Sequence, residues 1–332
     1  MRCLQVFGDS ANLKLTSFEQ TFFKTLIMQK VIITILTFLF LSKTYGQKIE
    51  KVFLDKNDST KNCYTIIYPQ KLPWTGYIFL IPGFSETAER VLQQSDLPKK
   101  LALNGILTII PTFQSGVLSF GVDSLSQQSF EIILKDVTSK HKLIDLPFYV
   151  GGYSIGGSCT IKYAENAIIK PTAIFAIDPP LDFERVYNSA KRDIRLSTDN
   201  KPNQENIYII DRLTTEIGGS PTTNLSDYYK FSPYSFTDTA QTAIKKLTKI
   251  PLRIYTEPDI NWWIKERRAD LTSMNATECS AFINELNRLG NNNATLITTQ
   301  NIGYRQPDKI RHPHSWSIVD NDELIKWLLK QK

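Results

Sequence analysis

Residues that build metal centres and disulfide frameworks are scarce in this chain. Only four of its 332 residues are cysteine and three are histidine. No C-x-x-C or H-E-x-x-H spacing occurs, so we expect neither a metal nor another cofactor. Cys3 lies in an N-terminal part that we expect to be removed. The remaining cysteines are an odd number and are interpreted as small buried hydrophobic residues: Cys63, Cys159 and Cys279.

An excess of one charge and repeated sequence are also missing. The formal net charge is +6, and loss of residues 1–46, with five basic and two acidic side chains, leaves about +3. Basic residues alternate with acidic ones, as in Lys265-Glu266-Arg267-Arg268, which is typical of a solvated helix face and not of a nucleic-acid surface. Without repeats, the length suits one large α/β domain with an insertion, or two smaller domains.

The N-terminal apolar run, residues 31–41, is too short to span a bilayer comfortably. Lys30 precedes it and small or polar residues follow at 42–46, so residues 1–46 are predicted to be a secretory signal peptide cleaved near Gly46. Met28 stands where such a signal would begin, which makes residues 1–27 a possible upstream extension. We expect a secreted or periplasmic protein without a stable membrane span after cleavage; an uncleaved anchor is the alternative.

Strand and helix patterns alternate along the rest of the chain. Runs at 49–54 and 64–68 predict an antiparallel hairpin, and the later strands are expected at 77–81, 106–110, 148–150, 173–177, 252–255 and 295–298. Apolar residues at helical spacing predict a helix over 124–140, and Asn275 to Glu278 resembles a capping box before another. This order predicts an α/β fold with a mostly parallel sheet and helices on both faces.

Residues 181–247 interrupt the alternation. A connection of this length is too long for an ordinary link between a strand and a helix, and it predicts a helical lid or cap inserted over the strand ends. An aromatic cluster near its end suits a substrate pocket and buried packing equally well: Tyr228, Tyr229, Phe231, Tyr234 and Phe236.

The strand at 148–150 ends in Gly152-Tyr153-Ser154-Ile155-Gly156 and a helix-compatible segment follows. This pattern matches the G-x-S-x-G nucleophile elbow, a strained strand-to-helix turn that exposes a serine hydroxyl. The alternative is a plain glycine-rich turn with an ordinary serine. Because the strand and helix that the motif requires flank it here, we interpret Ser154 as a nucleophile.

A serine nucleophile needs a nearby base that a third group orients. His141 lies at a polar helix end before the elbow, where a surface role is expected. His312 and His314 follow the last predicted strand, so the sequence order is serine, then an acid after a strand, then histidine.

In this order of residues the chain resembles the α/β-hydrolases from Ile49 onward. The resemblance implies that the acid follows the strand after the insertion, which selects Asp259 with Glu257 as a close rival. Asp178, after the preceding strand, is the less common position. His314 is the implied base because Ser315 and Trp316 follow it; His312 is the alternative.

The resemblance also implies an oxyanion hole made by the backbone N–H groups of Ile155 and Phe84. Pro82 stands where many lipases of the family carry the histidine of an H-G-G-G motif. The backbone can still supply the donor, but the chain departs from that group of esterases.

The implied function is a secreted serine hydrolase that cleaves carboxylic esters of small molecules through an acyl-enzyme. The alternative is a small serine peptidase, because Ser232-Pro233 resembles an element of prolyl-oligopeptidase-like enzymes. A third hypothesis is a catalytically silent α/β-hydrolase fold used for binding.

Overall fold

The computed structural model describes residues 25, 28–30, 47–55, 57–197 and 203–331. The predicted signal peptide and upstream extension, apart from residues 25 and 28–30, lie outside the described residues. The description of the fold below covers the unit Gln47–Lys332.

An eight-stranded sheet forms the centre of this unit, in the order β1-β2-β4-β3-β5-β6-β7-β8. The first three strands of that order pair antiparallel and the others pair parallel. The predicted N-terminal hairpin and the mostly parallel sheet are therefore confirmed. The strands are β1 Ile49–Phe53, β2 Cys63–Ile67, β3 Gly76–Ile81, β4 Ile106–Thr112, β5 Phe148–Tyr153, β6 Ala173–Ile177, β7 Leu252–Thr256 and β8 Ala294–Thr298.

Helices connect these strands. They are α1 Ala88–Gln94, α2 Leu97–Leu103, α3 Ser124–His141, α4 Ile155–Asn166, α5 Phe183–Leu196, α6 Gln204–Ile217, α7 Pro221–Phe231, α8 Ala276–Arg288 and α9 Asn321–Lys330. A two-stranded ribbon, β9 Tyr304–Arg305 with β10 Ile310–Arg311, follows β8. No helix among the described residues combines the length and apolar character that a membrane crossing requires.

The parallel strands are apolar throughout because both faces of the sheet are buried. Along β3, Tyr77 and Phe79 pack in one cluster with α3 residues such as Phe130. Ile78 and Leu80, which point to the opposite face, pack in a second cluster with α2 and α9. Side chains of a strand alternate between faces, so two layers of helices produce a continuous apolar run and no alternating pattern.

The predicted insertion follows β6 and contains α5, α6 and α7. Phe183 of α5 and Leu213 of α6 pack with Ile155 at the start of α4 and with Phe120 before α3. The insertion is thereby placed at the end of the sheet where the parallel strands finish. Its role as a lid stays a prediction.

Candidate active site

Ser154 occupies the turn between β5 and α4. Its backbone has φ 53° and ψ −126°, angles that a residue with a side chain rarely adopts and that persist only where the surroundings enforce them. The Ser154 N–H donates to the Ile177 carbonyl at the end of β6, with 2.8 Å between N and O. The turn is thus fixed to the neighbouring strand while the hydroxyl projects from it.

Two glycines allow this turn to pack. A Cβ on Gly152 would collide with the Gly156 carbonyl, and a Cβ on Gly156 would collide with the carbonyls of Ile81 and Pro82. Backbone atoms cannot move aside as a flexible side chain can. The glycine positions of the motif are therefore fixed by contact between the elbow and the end of β3.

His314 joins the serine to an aspartate. Its Nε2 lies 2.9 Å from Ser154 Oγ, and its Nδ1 lies 2.6 Å from Asp178 Oδ2. With the proton on Nδ1, the ring donates to Asp178 and presents Nε2 as an acceptor for the serine hydroxyl. This is the geometry of an activated serine, in which a base faces the nucleophile and an acid orients the base.

Asp178 directly follows β6, next to the strand that carries Ser154. Its N–H donates to the Tyr255 carbonyl at 2.7 Å, and its own carbonyl accepts from Asn275 Nδ2 at 2.9 Å. Its φ of 46° is in the left-handed region. Bonds on both sides of the residue hold this strained backbone, so the carboxylate has a fixed direction.

The loop after β3 lies beside the elbow. Within it, the N–H groups of Gly83 and Ser85 donate to Glu86 Oε2 and to the Val117 carbonyl. For the N–H of Phe84, no acceptor occurs among the described residues. Ile155 is the first residue of α4, a position whose N–H has no partner within the helix. Both predicted oxyanion donors thus border the same cavity as Ser154.

That cavity has a volume of about 1050 Å³. Its lining includes Ser154 and His314 together with residues of α5 and α6 such as Val186 and Ile209. The aromatic cluster of residues 228–236 is not among the described lining residues, although Phe183 and Tyr208 of the same insertion are. Tyr228, for example, is fully buried and packs against Tyr187. For Tyr228, buried packing is the correct interpretation.

Comparison with known proteins agrees with this architecture. No protein-family model matches the chain, and no curated protein matches it by sequence. Solved structures do match. An S-formylglutathione hydrolase from Agrobacterium tumefaciens has a TM-score of 0.54 at 12% identity, over 87% of this chain and 97% of that chain. MPT51 (FbpC1) from Mycobacterium tuberculosis has a TM-score of 0.57 at 10% identity, over 86% and 99%.

An acylaminoacyl peptidase from Pyrococcus horikoshii also matches, with a TM-score of 0.57 at 12% identity. The match covers 88% of this chain but 43% of the peptidase, so this chain corresponds to less than half of that protein. The protein has the α/β-hydrolase fold. At these identities the likeness establishes the fold alone.

Within the α/β-hydrolase fold, the acid beside the histidine is not the one that the sequence favoured. The expectation that Asp259 orients His314 is wrong, because Asp259 accepts from Arg311 at 2.8 Å and from the Trp262 N–H at 3.0 Å. Asp178, the less favoured alternative, contacts the ring. Asp259, which follows the strand after the insertion, forms an ion pair with Arg311 instead.

Glu257, the rival acid, is also engaged elsewhere. It is buried, its Oε1 lies 2.6 Å from Arg311 Nη2, and its Oε2 accepts from the N–H groups of Ile302 and Gly303 at 3.1 and 3.0 Å. Its carboxylate therefore holds the segment that leads to His314. It supports the position of the histidine without touching it.

His312 lies in the same segment but faces another partner. Its Nε2 is 3.0 Å from Arg267 Nη2, and Trp262 packs against the ring at 4.8 Å between centroids. Burial, together with the charges of Arg305, His314 and Arg267, lowers the pKa of His312 to about 2. The imidazole is therefore neutral and accepts from Arg267. The histidine at Ser154 is His314.

Two supporting residues escaped the sequence-based interpretation. The Tyr153 hydroxyl donates to the His314 carbonyl at 2.8 Å, and burial raises the pKa of this tyrosine far above its usual range. Glu86 Oε2 accepts from Trp316 Nε1 at 3.0 Å as well as from Gly83. Tyr153 belongs to the elbow motif, but only the fold shows that its hydroxyl contacts the segment of His314.

The predicted capping box at the start of α8 is also wrong. Asn275 makes no side-chain cap, and its Oδ1 instead accepts from Arg185 of α5 at 2.9 Å. Glu278 is fully buried and pairs with Arg185.

Among the described residues, no group of three histidine, cysteine, aspartate or glutamate side chains is arranged to hold a metal ion.

Proposed function

We propose that this protein is a serine hydrolase that cleaves carboxylic esters through an acyl-enzyme, with Ser154, His314 and Asp178 as its catalytic groups. The observation that supports it most is the His314 ring, which lies within hydrogen-bond distance of both Ser154 and Asp178. The left-handed backbone of Ser154 is the second support, because such strain concentrates at active sites.

In the proposed reaction, Ser154 Oγ attacks the ester carbonyl and His314 Nε2 takes its proton. Asp178 holds the tautomer with Nδ1–H and stabilises the imidazolium that forms. The ester C–O bond then breaks as His314 gives the proton to the departing alcohol oxygen. Water repeats the sequence on the acyl-enzyme and releases the acid.

The N–H groups of Ile155 and Phe84 are proposed to stabilise the negative oxygen of the tetrahedral intermediate. Both belong to segments that contacts with other backbone groups hold in place, so these donors need no rearrangement during reaction. Loss of one such donor costs about 2.7–4 kcal/mol of barrier in other hydrolases.

A small peptidase is the second candidate. The likeness to the acylaminoacyl peptidase, over 88% of this chain, favours it. A panel that pairs each ester with the amide of the same acyl group separates the two, since an esterase cleaves the ester alone and a peptidase cleaves both.

Labelling with a fluorophosphonate probe tests the proposal. We expect the wild type to be modified at Ser154 alone, as mapped by peptide mass spectrometry. Ser154→Ala should abolish labelling, whereas Ser189→Ala, which changes another serine of the cavity, should leave it intact. Folded wild-type protein that remains unlabelled, or labelling at another serine, contradicts the assignment and favours a silent binding fold.

Export is proposed on the N-terminal pattern alone. Expression of the full chain followed by N-terminal sequencing of the exported protein should give Gln47 as the first residue. Retention of residues before Gln47, or of the protein in the membrane, contradicts the signal peptide.

A further inference from the structure

One wall of the cavity is basic. Arg267, at the end of the short helical turn Trp263–Arg267, and Arg305, at the end of β9, both line it together with His312. We call these three residues the basic wall. Both guanidinium groups lower the pKa of His312, so their charges act on the same point of the cavity.

Neutral groups hold both guanidinium groups of the basic wall. Arg267 Nη2 donates to His312 Nε2 at 3.0 Å, and Arg305 Nη2 lies 3.5 Å from the His314 carbonyl. Among the described residues, no carboxylate lies within 4 Å of either. The acids next to Arg267 in the sequence pair elsewhere, Glu266 with Lys265 and Asp270 with Arg192. Glu257 and Asp259 are bound to Arg311.

Three other arginines of the structure are neutralised by carboxylates. Arg185 pairs with Glu278, Arg253 with Glu323, and Arg311 with two carboxylates. Two cavity-facing guanidinium groups without such a partner therefore carry donors and charge that a ligand can use. Arginine suits carboxylates in particular, because its planar donors match the two carboxylate oxygens.

The basic wall lies close to His314, whose Nε2 meets the leaving group. His314 Nε2 must give its proton to the alcohol oxygen, so the alcohol portion of an ester lies beside this ring. The His312 ring is 6.3 Å from the His314 ring, and Arg305 contacts the His314 backbone. We therefore place a group attached to the alcohol beside the basic wall.

We propose that Arg267 and Arg305 bind a carboxylate on the alcohol portion of the substrate, which makes esters of carboxylated alcohols or phenols the preferred class. This inference rests on the proposed function. The carboxylate takes no part in bond breaking: Ser154 displaces the alcohol, whose oxygen receives the serine proton through His314. Binding at the wall orients the ester so that its leaving oxygen faces Nε2.

Three butyrate and succinate esters test the preference: 4-carboxyphenyl butyrate, its neutral match 4-carbamoylphenyl butyrate, and phenyl hemisuccinate, whose charge is on the acyl side. We expect kcat/KM for the carboxyphenyl ester to exceed that of its neutral match about tenfold to a hundredfold, as for a charge-assisted hydrogen bond. Equal values, or a preference for the hemisuccinate, overturn the proposal while ester cleavage itself stands.

Variants of Arg267 and Arg305 test whether these two arginines cause the preference for the carboxyphenyl ester. Arg267→Gln and Arg305→Gln should each lower the carboxyphenyl-to-carbamoyl ratio of kcat/KM at least about threefold. Any loss of activity that the two esters share cancels in this ratio. Arg288→Gln removes an exposed arginine of α8 and should leave the ratio unchanged. If Arg288→Gln lowers the ratio as much as the wall variants, the preference reflects overall charge and the proposal is wrong.

A binding measurement tests the anion site independently of the proposed hydrolase activity. Isothermal titration of Ser154→Ala protein with 4-hydroxybenzoate and 4-hydroxybenzamide needs no turnover. Tighter binding of the benzoate, lost in the Arg267→Gln Arg305→Gln double variant, supports the anion site even if no ester is cleaved. Equal affinity for the two compounds overturns the site whether or not the protein is a hydrolase.

Discussion

The Glu86 carboxylate accepts a hydrogen bond from the Trp316 indole, 230 residues further along the chain. The same oxygen accepts from the Gly83 N–H, next to the proposed oxyanion donor Phe84. Trp316 lies two residues after His314 and is almost fully buried. One carboxylate therefore sets the position of the oxyanion loop relative to the histidine.

Loss of this carboxylate should slow the reaction without weakening substrate binding. We expect Glu86→Ala to lower kcat about tenfold to a hundredfold with KM nearly unchanged, because the oxyanion donor acts in the transition state. Glu86→Gln keeps one acceptor oxygen for the two donors and should restore most of the rate. Equal defects in both variants, or a defect in KM alone, contradict a positioning role.

The elbow glycines should differ sharply in their tolerance of a methyl group. Gly156→Ala places Cβ against the carbonyls of Ile81 and Pro82, so we expect a loss of about 3 kcal/mol or more of unfolding free energy. Gly157→Ala meets the Ala176 and Pro179 side chains at 3.0 Å and should cost less. Urea denaturation measures both; equal losses contradict the close backbone contact.

Two arginines of α5 offer a matched test of how the insertion is held. Arg185 pairs with the fully buried Glu278, whereas Arg192 pairs with Asp270 at 2.8 Å with both side chains about 40% exposed. Arg185→Gln leaves a buried carboxylate uncompensated and should cost about 3–5 kcal/mol. Arg192→Gln should cost about 1 kcal/mol or less. The ranking is read from denaturant midpoints, and its reversal contradicts the structure.

The lowered pKa of His312 predicts that the stability of the protein depends on pH. This pKa is about 2 in the folded protein and about 6.5 when unfolded, so the unfolded chain binds the extra proton between these values. Stability is therefore complete above pH 6.5 and is lost as the pH falls below it. Between pH 7.5 and 5.0 the wild type should lose about 2 kcal/mol more than His312→Gln. Parallel pH profiles contradict a buried neutral His312.

The elbow, the base and the strands could be predicted because local sequence determines them. Continuous apolar runs marked the buried strands, and the glycines around Ser154 marked a turn that must approach other backbone closely. The place after the last strand selected His312 and His314, and the resemblance favoured His314 because Ser315 and Trp316 follow it. Each of these features depends on residues that are neighbours along the chain.

Neighbouring residues could not decide which carboxylate contacts His314. Asp178 and Asp259 both follow a parallel strand, and the choice depends on Arg311, which pairs with Asp259 only after the segment after β8 has folded back. The capping box predicted at Asn275 to Glu278 was wrong for the same reason, because the contacts of these residues depend on a distant part of the chain. They have the spacing of a cap, but their partner Arg185 lies about 90 residues away.

The central claim is that Asp178, and not Asp259, completes the serine–histidine pair. The most direct measurement is kcat/KM for a neutral aryl ester in Asp178→Asn and Asp259→Asn, two proteins with the same chemical change after neighbouring strands. We expect a fall of about 10⁴ in Asp178→Asn, since the amide favours the wrong tautomer of His314. Asp259→Asn should retain activity within about tenfold, because its carboxylate binds Arg311. The reverse ranking contradicts the account.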